Sequence, residues 1–441
     1  MPLKRVIPLG LVAVFVVSAG VAIGLGFDLE QGGSDIARER SDTLGNAAPS
    51  LAPPPPASEA HIGFAFPSRL SRPPTADEAQ SKLWFHDGSW WGVLMDPATT
   101  ASNIYRLEAD SRTWADTGVV VDDRVESRAD VLSDGNRLYV ATGGASPSAG
   151  EHVRLMRYSY DADSRRYRLD RHFPVQLTDT GVKRLTIAKD TAGTLWIAYV
   201  LDDQVWISQS VANDHSWGIP RVLPTDGPSL PAEQAIILAY GGKVGVAWTN
   251  RVESRVSFAS HTDGDAPDAW TVTSTPLEGG LPADDHMQVG SLSAPEGPTV
   301  FIVVKTSLDT RDASLGTDPQ MLLLELRPDG GWETHVFGVL RDHHTQPLLL
   351  INEDARELYV FAVAPFGEGA VYYKRTSADE ISLPPGEGIA FLHWTDGPVI
   401  TTPTSTKQNV GASSGIVVLA ADVTANQYVH GVLDLAAATE P

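Results

Sequence analysis

The sequence predicts an all-β chain folded as a seven-bladed β-propeller, with six blades as the alternative, and three observations predict it. An apolar run, a tight polar turn and a second, aromatic-rich apolar run recur seven times. The turns are His86-Asp87-Gly88, Ser133-Asp134-Gly135-Asn136, Asp190-Thr191-Ala192-Gly193, Gly241-Gly242-Lys243, Pro295-Glu296-Gly297, Asn352-Glu353-Asp354 and Ser413-Ser414-Gly415. Their spacing of roughly 50 residues is the period of propeller blades. The runs themselves are β-branched or aromatic, as in Arg137-Leu138-Tyr139-Val140, Thr194 to Tyr199, Lys243 to Trp248 and Glu357 to Phe361. No long helical period interrupts them.

Taken from the N-terminus, Lys4 and Arg5 precede an uncharged apolar stretch from Val6 to Phe27. A helix of about 20 such residues crosses a bilayer, and the positive flank places Met1 inside. Residues 1–27 therefore read as a signal anchor, or as a signal peptide cleaved near Ser18-Ala19 or Ala22. The propeller is expected outside the cytoplasm, held at the cell membrane through the N-terminal helix, or secreted if that segment is removed. Residues 28–60 turn to Gly, Ser, Ala and Pro, with Pro53 to Pro56 in series, and predict a disordered linker that cannot build a core. Residues 61–441 are the propeller. Its last unit offers strands near Asn409, at Ile416 to Ala421 and at Tyr428 to Leu433, so His61 to Pro67 is expected to supply the missing outer strand and close the ring.

Composition excludes several classes. A net charge of −22 and a pI near 4.8 argue against nucleic acid, which needs a basic face. With no cysteine there is no disulfide, thiolate nucleophile or Cys-ligated zinc. No metal-ligand spacing such as H-E-x-x-H occurs, and the G-x-S-x-G string Gly411 to Gly415 falls in a hairpin turn and not in a strand-to-helix elbow, so neither a metal, a cofactor nor a hydrolase triad is expected. Asp122-Asp123 and Asp202-Asp203 read as solvated turn acids, with calcium as the alternative. Trp84, Trp90 and Trp91 either pack in the core or stack on sugar rings. The chain is expected to act as a monomer.

The first strand of each blade lines the channel, so the residues leading into it crowd one mouth. Aligned on the hairpins, that position carries Arg128 and Asp130, then Lys183 and Arg184, then Glu233 and Gln234. It continues with Asp284, Asp285, His286 and Gln288, with His344 and Gln346, and with Lys407-Gln408-Asn409. Cationic, amide, imidazole and carboxylate groups around one ring suit a polar ligand such as a sugar. The set Arg128, Asp130, Lys183, Arg184, Gln234, Asp285, His286, Gln288, His344, Gln346 and Gln408 is the expected ligand-binding ring. His-x-Gln occurs twice in it, and His286 and His344 are the candidates for acid–base chemistry near neutral pH.

The turns between third and fourth strands add a resemblance. They read Asp110 to Trp114, Asp163 to Tyr167, Asp214-His215-Ser216-Trp217, Asp268-Ala269-Trp270 and Asp329 to Trp332. This Asp-to-aromatic spacing resembles a degenerate Asp-box, the turn motif of sialidase-like, BNR-repeat propellers, in which the Asp bonds turn N–H groups and the ring packs between blades. The full motif is intact in none of the five turns. The resemblance implies a structural role for these residues and a ligand site elsewhere. Sialidases hold a substrate carboxylate with three arginines; Arg128 and Arg184 occupy matching inner positions, and Arg69 or Arg72 lies before the first blade. Phe66-Pro67-Ser68-Arg69 departs from the family's Phe-Arg-Ile-Pro signature, and no Tyr–Glu pair stands at an inner strand, which puts sialidase activity in doubt. The His before an inner strand also resembles BNR-4-type propellers, which include polysaccharide lyases. Two functions stay open: an exported propeller that binds a carbohydrate or an extracellular protein, or a glycoside hydrolase or polysaccharide lyase using the paired His and Arg residues.

Overall fold

Seven antiparallel sheets follow one another along the chain, one for each of the seven repeats. The computed structural model describes residues 58–76, 79–144, 149–224, 232–277, 281–308, 316–365, 369–395 and 397–436. The expected anchor and nearly all of the expected linker lie outside the described residues; no helix among the described residues is long and apolar enough to cross a membrane. The inner strands of blades 1 to 6 are Leu83–His86, Arg128–Asp134, Lys183–Lys189, Ala235–Tyr240, Ala283–Leu292 and Thr345–Asn352. Each pairs with the strand after the hairpin turn read from sequence, and the sheet continues outward through a third and fourth strand. In blades 2 and 3 the outer position is shared by two short segments, Arg166–Leu169 with Val175–Gln176 and Asn213–Trp217 with Arg221–Val222.

Blade 7 joins the two ends of the domain. Its order is Ile400–Thr404, Ile416–Asp422, Gln427–Leu433 and then Ser58–Ala65, which pairs antiparallel with Gln427–Leu433. The closing strand thus begins at Ser58, inside the stretch expected to be linker. The inner strand is a larger correction. It is Ile400–Thr404, whose Thr-Thr-Pro-Thr run shows no apolar signal, and the segment near Asn409 is not a strand of blade 7 but forms an isolated bridge to blade 6 from Val410 to Asn352.

The core is a ring of joints between blades. One cluster combines Trp84 and Trp91 of blade 1 with Val131, Tyr158 and Tyr167 of blade 2. Others join Tyr139 to Ile187, Trp196 to Val244, Phe258 to Ile302, and Phe301 to Leu349 around the ring. Because blades stack face to face, second strands such as Ile416–Asp422 are buried on both sides, which is why they read as unbroken apolar runs. Trp84, Trp90 and Trp91 are all core residues, so stacking on a sugar is ruled out for them. The aromatic half of each Asp-to-aromatic turn does span a joint. Trp114 meets His430 of blade 7 edge-on, Tyr167 meets Trp84, Trp270 meets Trp196, and the Trp332 indole donates to Thr273 Oγ1 at 3.0 Å. Of the five turn aspartates, Asp329 uses its side chain in its own turn, accepting from Gly331 N at 2.8 Å, while Asp214 and Asp268 accept there through their backbone carbonyls. The Asp214 carboxylate accepts from Tyr139 Oη and Arg157 of blade 2.

The closing strand covers a titratable group of the strand beside it. His61 stands opposite His430 and stacks on it at 5.1 Å, while Phe64 stacks on Tyr105 and Phe66 packs against Tyr428. His430 is fully buried and neither ring nitrogen finds a partner. Burial, with smaller contributions from His61 and Arg112, lowers its pKa to about 3. A folded value below the unfolded value near 6.5 means the unfolded chain takes up the proton first, so stability is lost as pH falls below 6.5. His430→Leu should therefore remove part of the acid sensitivity. Between pH 7.5 and pH 5 the wild type should lose about 2 kcal/mol more stability than the variant, as read from urea midpoints. Equal losses in the two proteins would contradict a buried neutral His430.

Candidate functional site

At the end where inner strands begin, four blades carry an irregularity. The ladder slips between Lys183 and Thr186, Ala283 and Met287, Thr345 and Leu348, and Thr401 and Thr404. Arg184, Gln346 and Thr402 sit there with φ of 52°, 50° and 50°, in the left-handed region that non-glycine residues avoid. Bulges of this kind redirect side chains and are common beside functional sites.

Two of these bulges serve the ring itself. Gln346 Oε1 accepts from Thr402 N and Thr401 Oγ1, both at 2.8 Å, tying blade 6 to blade 7. Thr402 Oγ1 lies 2.5 Å from the buried Thr75 hydroxyl in the segment before blade 1. The other two bulges meet each other. Arg184 of blade 3 donates to Asp285 Oδ2 of blade 5 at 2.6 Å, so the contact crosses the mouth in front of blade 4. The other Asp285 oxygen lies 3.0 Å from His286 Nδ1. Asp284 pairs with Lys305 and lies 3.6 Å from Arg251, which also approaches Glu233 at 3.5 Å. The close contact with His286 comes first, and the Arg184 charge adds to it, in holding Asp285 far below the usual carboxylate range. Burial opposes ionisation of Asp284, but the contacts with His286 and Lys305 outweigh it and hold that pKa down as well.

The result is a charged cluster of three cations, three carboxylates and an imidazole. It remains open to solvent: side-chain exposure is 13% for Arg184, 28% for Asp285 and 21% for His286. Arg251 and Lys305 are absent from the sequence-derived ring. They stand at the ends of second strands, which antiparallel pairing returns to the mouth where first strands begin. The signal was available, since each lies one hairpin, about 20 residues, after the inner-strand position of its own blade.

The remaining ring residues are placed otherwise. Arg128 shares a small recess with Arg184 and Gln80, and donates to the carbonyls of Ser127 and Arg72. Asp130 is fully buried and accepts from Ser81 N, Ile187 N and Lys407 Nζ. Lys183 opens the blade 3 strand; its side chain is outside what the structure describes. Gln234 is fully buried with neither amide atom hydrogen-bonded. Gln288 faces the channel further in. Lys407 and Gln408 follow the blade 7 inner strand instead of preceding it, and Gln408 clasps the backbone of Phe85 through both amide atoms.

His344 does not join His286. It is 0% exposed, bonded through Nε2 to the Glu387 carbonyl at 2.9 Å and packed on Phe337. A Cβ on Gly338 would stand 2.1 Å from its Nδ1, so the ring fills the place where that glycine lacks a side chain. Burial lowers its pKa to about 4 against the pull of the Glu387 bond. A shared histidine pair is therefore absent. Asp122, offered for calcium, is buried against Arg124 and Thr142.

No protein-family model matches this sequence, and no curated protein matches it either. Solved structures match in fold. An ulvan lyase of the polysaccharide lyase family PL25, solved with a saccharide bound, superposes with a TM-score of 0.54 at 11% identity, covering 85% of this chain and 96% of that one. A second structure of a PL25 ulvan lyase gives 0.52 at 10% identity, covering 87% and 96%. The polysaccharide lyase Uly1 gives 0.49 at 8% identity, covering 81% and 90%. At these identities the likeness establishes the seven-bladed propeller architecture.

The cluster makes a direct prediction. Arg184→Ala leaves Asp285 without its cation, so the Asp285 pKa should rise, measurable by carboxyl NMR titration. The folded state should lose about 1–2 kcal/mol, less than a fully buried pair would because both groups are partly solvated. An unchanged Asp285 titration would show that Arg184 does not hold it.

Proposed function

We propose that this protein is an exported, membrane-attached propeller that binds a carbohydrate at the mouth formed by Arg184, Asp285 and His286. The observation that carries this reading is the bridge from blade 3 to blade 5, which fixes charged donors and acceptors beside one another in partial contact with water. Sugar hydroxyls donate and accept at once, and side chains already locked by their neighbours bind them with little loss of rotamer freedom. Protein hot spots centre on Trp, Tyr and Arg in desolvated pockets, and this cluster supplies arginines already paired with carboxylates but no aromatic anchor. Propellers of the same architecture include a lyase solved with a saccharide bound. Export and attachment are supported by Lys4, Arg5 and the apolar stretch Val6 to Phe27.

A second reading, catalysis on a glycan, is favoured by one contact. A carboxylate 3.0 Å from an imidazole orients it for proton transfer, and His286 alone occupies that position. It would act without His344.

A glycan array probed with the full chain tests the binding reading. Glycans should be retained by the wild type and lost at least tenfold in Arg184→Ala and His286→Ala. Retention of no glycan would overturn it. Release of unsaturated or reducing ends from a bound uronate polymer, abolished in His286→Ala, would move the assignment to the enzyme. Protease added to intact cells should degrade the propeller; full protection would reject export.

A further inference from the structure

The channel contains a second cavity, on the other side of the domain from the mouth just described. It encloses about 360 Å³ and is walled by the later halves of the inner strands, among them Ile237, Leu238, Leu349 and Leu350. These residues run toward the hairpin turns, so the cavity opens on the hairpin face. Its inner end is shut by Gln80 and Ser81, and Gln80 also lines the recess beside Arg128 and Arg184. The strap before blade 1 is therefore a partition between the two faces.

That partition is firmly held. Gln80 Nε2 donates to the Leu185 carbonyl at 2.9 Å, its Oε1 accepts from Lys82 Nζ at 2.8 Å, and its carbonyl accepts from Thr404 Oγ1 at 3.0 Å. Val131 N donates to the Ser81 carbonyl at 3.0 Å. A polymer cannot thread through, and a ligand entering from the hairpin face meets a closed end.

Polar groups with unspent capacity line the bore. Lys407 has three N–H donors and gives them to Asp130 at 2.6 Å and the Ile187 carbonyl at 2.8 Å, which leaves one. Asn409 gives one N–H to the Ser291 carbonyl at 3.2 Å and keeps its own carbonyl. Glu353 brings an exposed carboxylate to the rim. A concave pocket in the range of roughly 300–1,000 Å³ is the usual size of a small-molecule site, and here aliphatic walls alternate with polar groups such as Gln288, Ser291 and Thr406.

We propose that this hairpin-face cavity binds an uncharged polyhydroxylated molecule of monosaccharide size, independently of the mouth formed by Arg184, Asp285 and His286. The volume and the closed end set the size. Charge sets the class: Lys407 is neutralised by Asp130 and Lys189 by Asp134, each at 2.6 Å, and Glu353 adds a negative charge that disfavours anions.

Saturation-transfer NMR on the full chain tests it, with D-glucose, D-galactose, myo-inositol and sodium D-glucuronate as probes. At least one neutral probe should bind, and glucuronate should not compete. Ala239→Trp, at an exposed position on the cavity wall, should weaken that binding at least tenfold, and Asn409→Ala with Glu353→Ala should do the same. Unchanged thermal unfolding would confirm that these variants fold. His286→Ala, which removes glycan retention under the reading above, should leave neutral-probe binding intact. The proposal is overturned if no neutral probe binds, if glucuronate binds in preference, or if folded Ala239→Trp binds as well as the wild type.

Discussion

One buried carboxylate holds the centre of the ring. Asp130 has no contact with solvent, and both of its oxygens are taken by groups from elsewhere in the chain: Ser81 N, Ile187 N and Lys407 Nζ. An ionised group in such a place is tolerated only when paired and fully hydrogen-bonded. Meeting that condition draws together the strap before blade 1, the inner strands of blades 2 and 3, and the tail of blade 7. Hydrophobic joints set each blade against its neighbour, but they leave the axis open. Asp130 and the strap fill it, and the domain consequently has two separate concave faces instead of one pore.

The mouth where inner strands begin shows how strain is distributed around that centre. Residues held at positive φ without being glycine cost on the order of 1 kcal/mol or more each. At Gln346 and Thr402 the conformation secures the joint between blades 6 and 7 and the clasp to Thr75. At Arg184 it serves a longer reach. The side chain reaches past blade 4 to Asp285, which presents its second oxygen to His286.

Much of this was legible in the sequence. The hairpins, the aromatic mortar between blades and closure by the N-terminal strand all follow from local composition, and each has a local cause. The differences arise where register decides. His286-Met287-Gln288 and His344-Thr345-Gln346 read alike, yet in blade 5 the slip falls before Met287 and in blade 6 it falls after Thr345. The slip adds two residues in blade 5, with His286 inside it, and one residue in blade 6, with His344 outside it, and such insertions re-aim the side chains they contain. His286 is thereby directed to the mouth and His344 into the joint against Gly338. Composition does not reveal on which side of a histidine a bulge lies. Blade 7 was misplaced for a different reason: the threonines and proline of Ile400–Thr404 carry no apolar run, so Lys407 to Asn409, at the opposite end, were aligned in their stead.

The position of the charged cluster bears on why it exists. A tie between blades 3 and 5 would be at least as strong if made from well-packed apolar groups, since desolvating ion pairs offsets most of their attraction. The joints elsewhere in this ring are built in that way, from tryptophan, tyrosine and aliphatic residues. At the mouth the chain instead places Arg184, Asp285 and His286 from first strands beside Arg251 and Lys305 from second strands, and leaves them partly hydrated. Opposite charges keep the cluster folded and nearly neutral while its donors and acceptors remain within reach of water. A hydroxyl-rich ligand can replace that water without leaving a buried charge unpaired, which a stability function alone would not require.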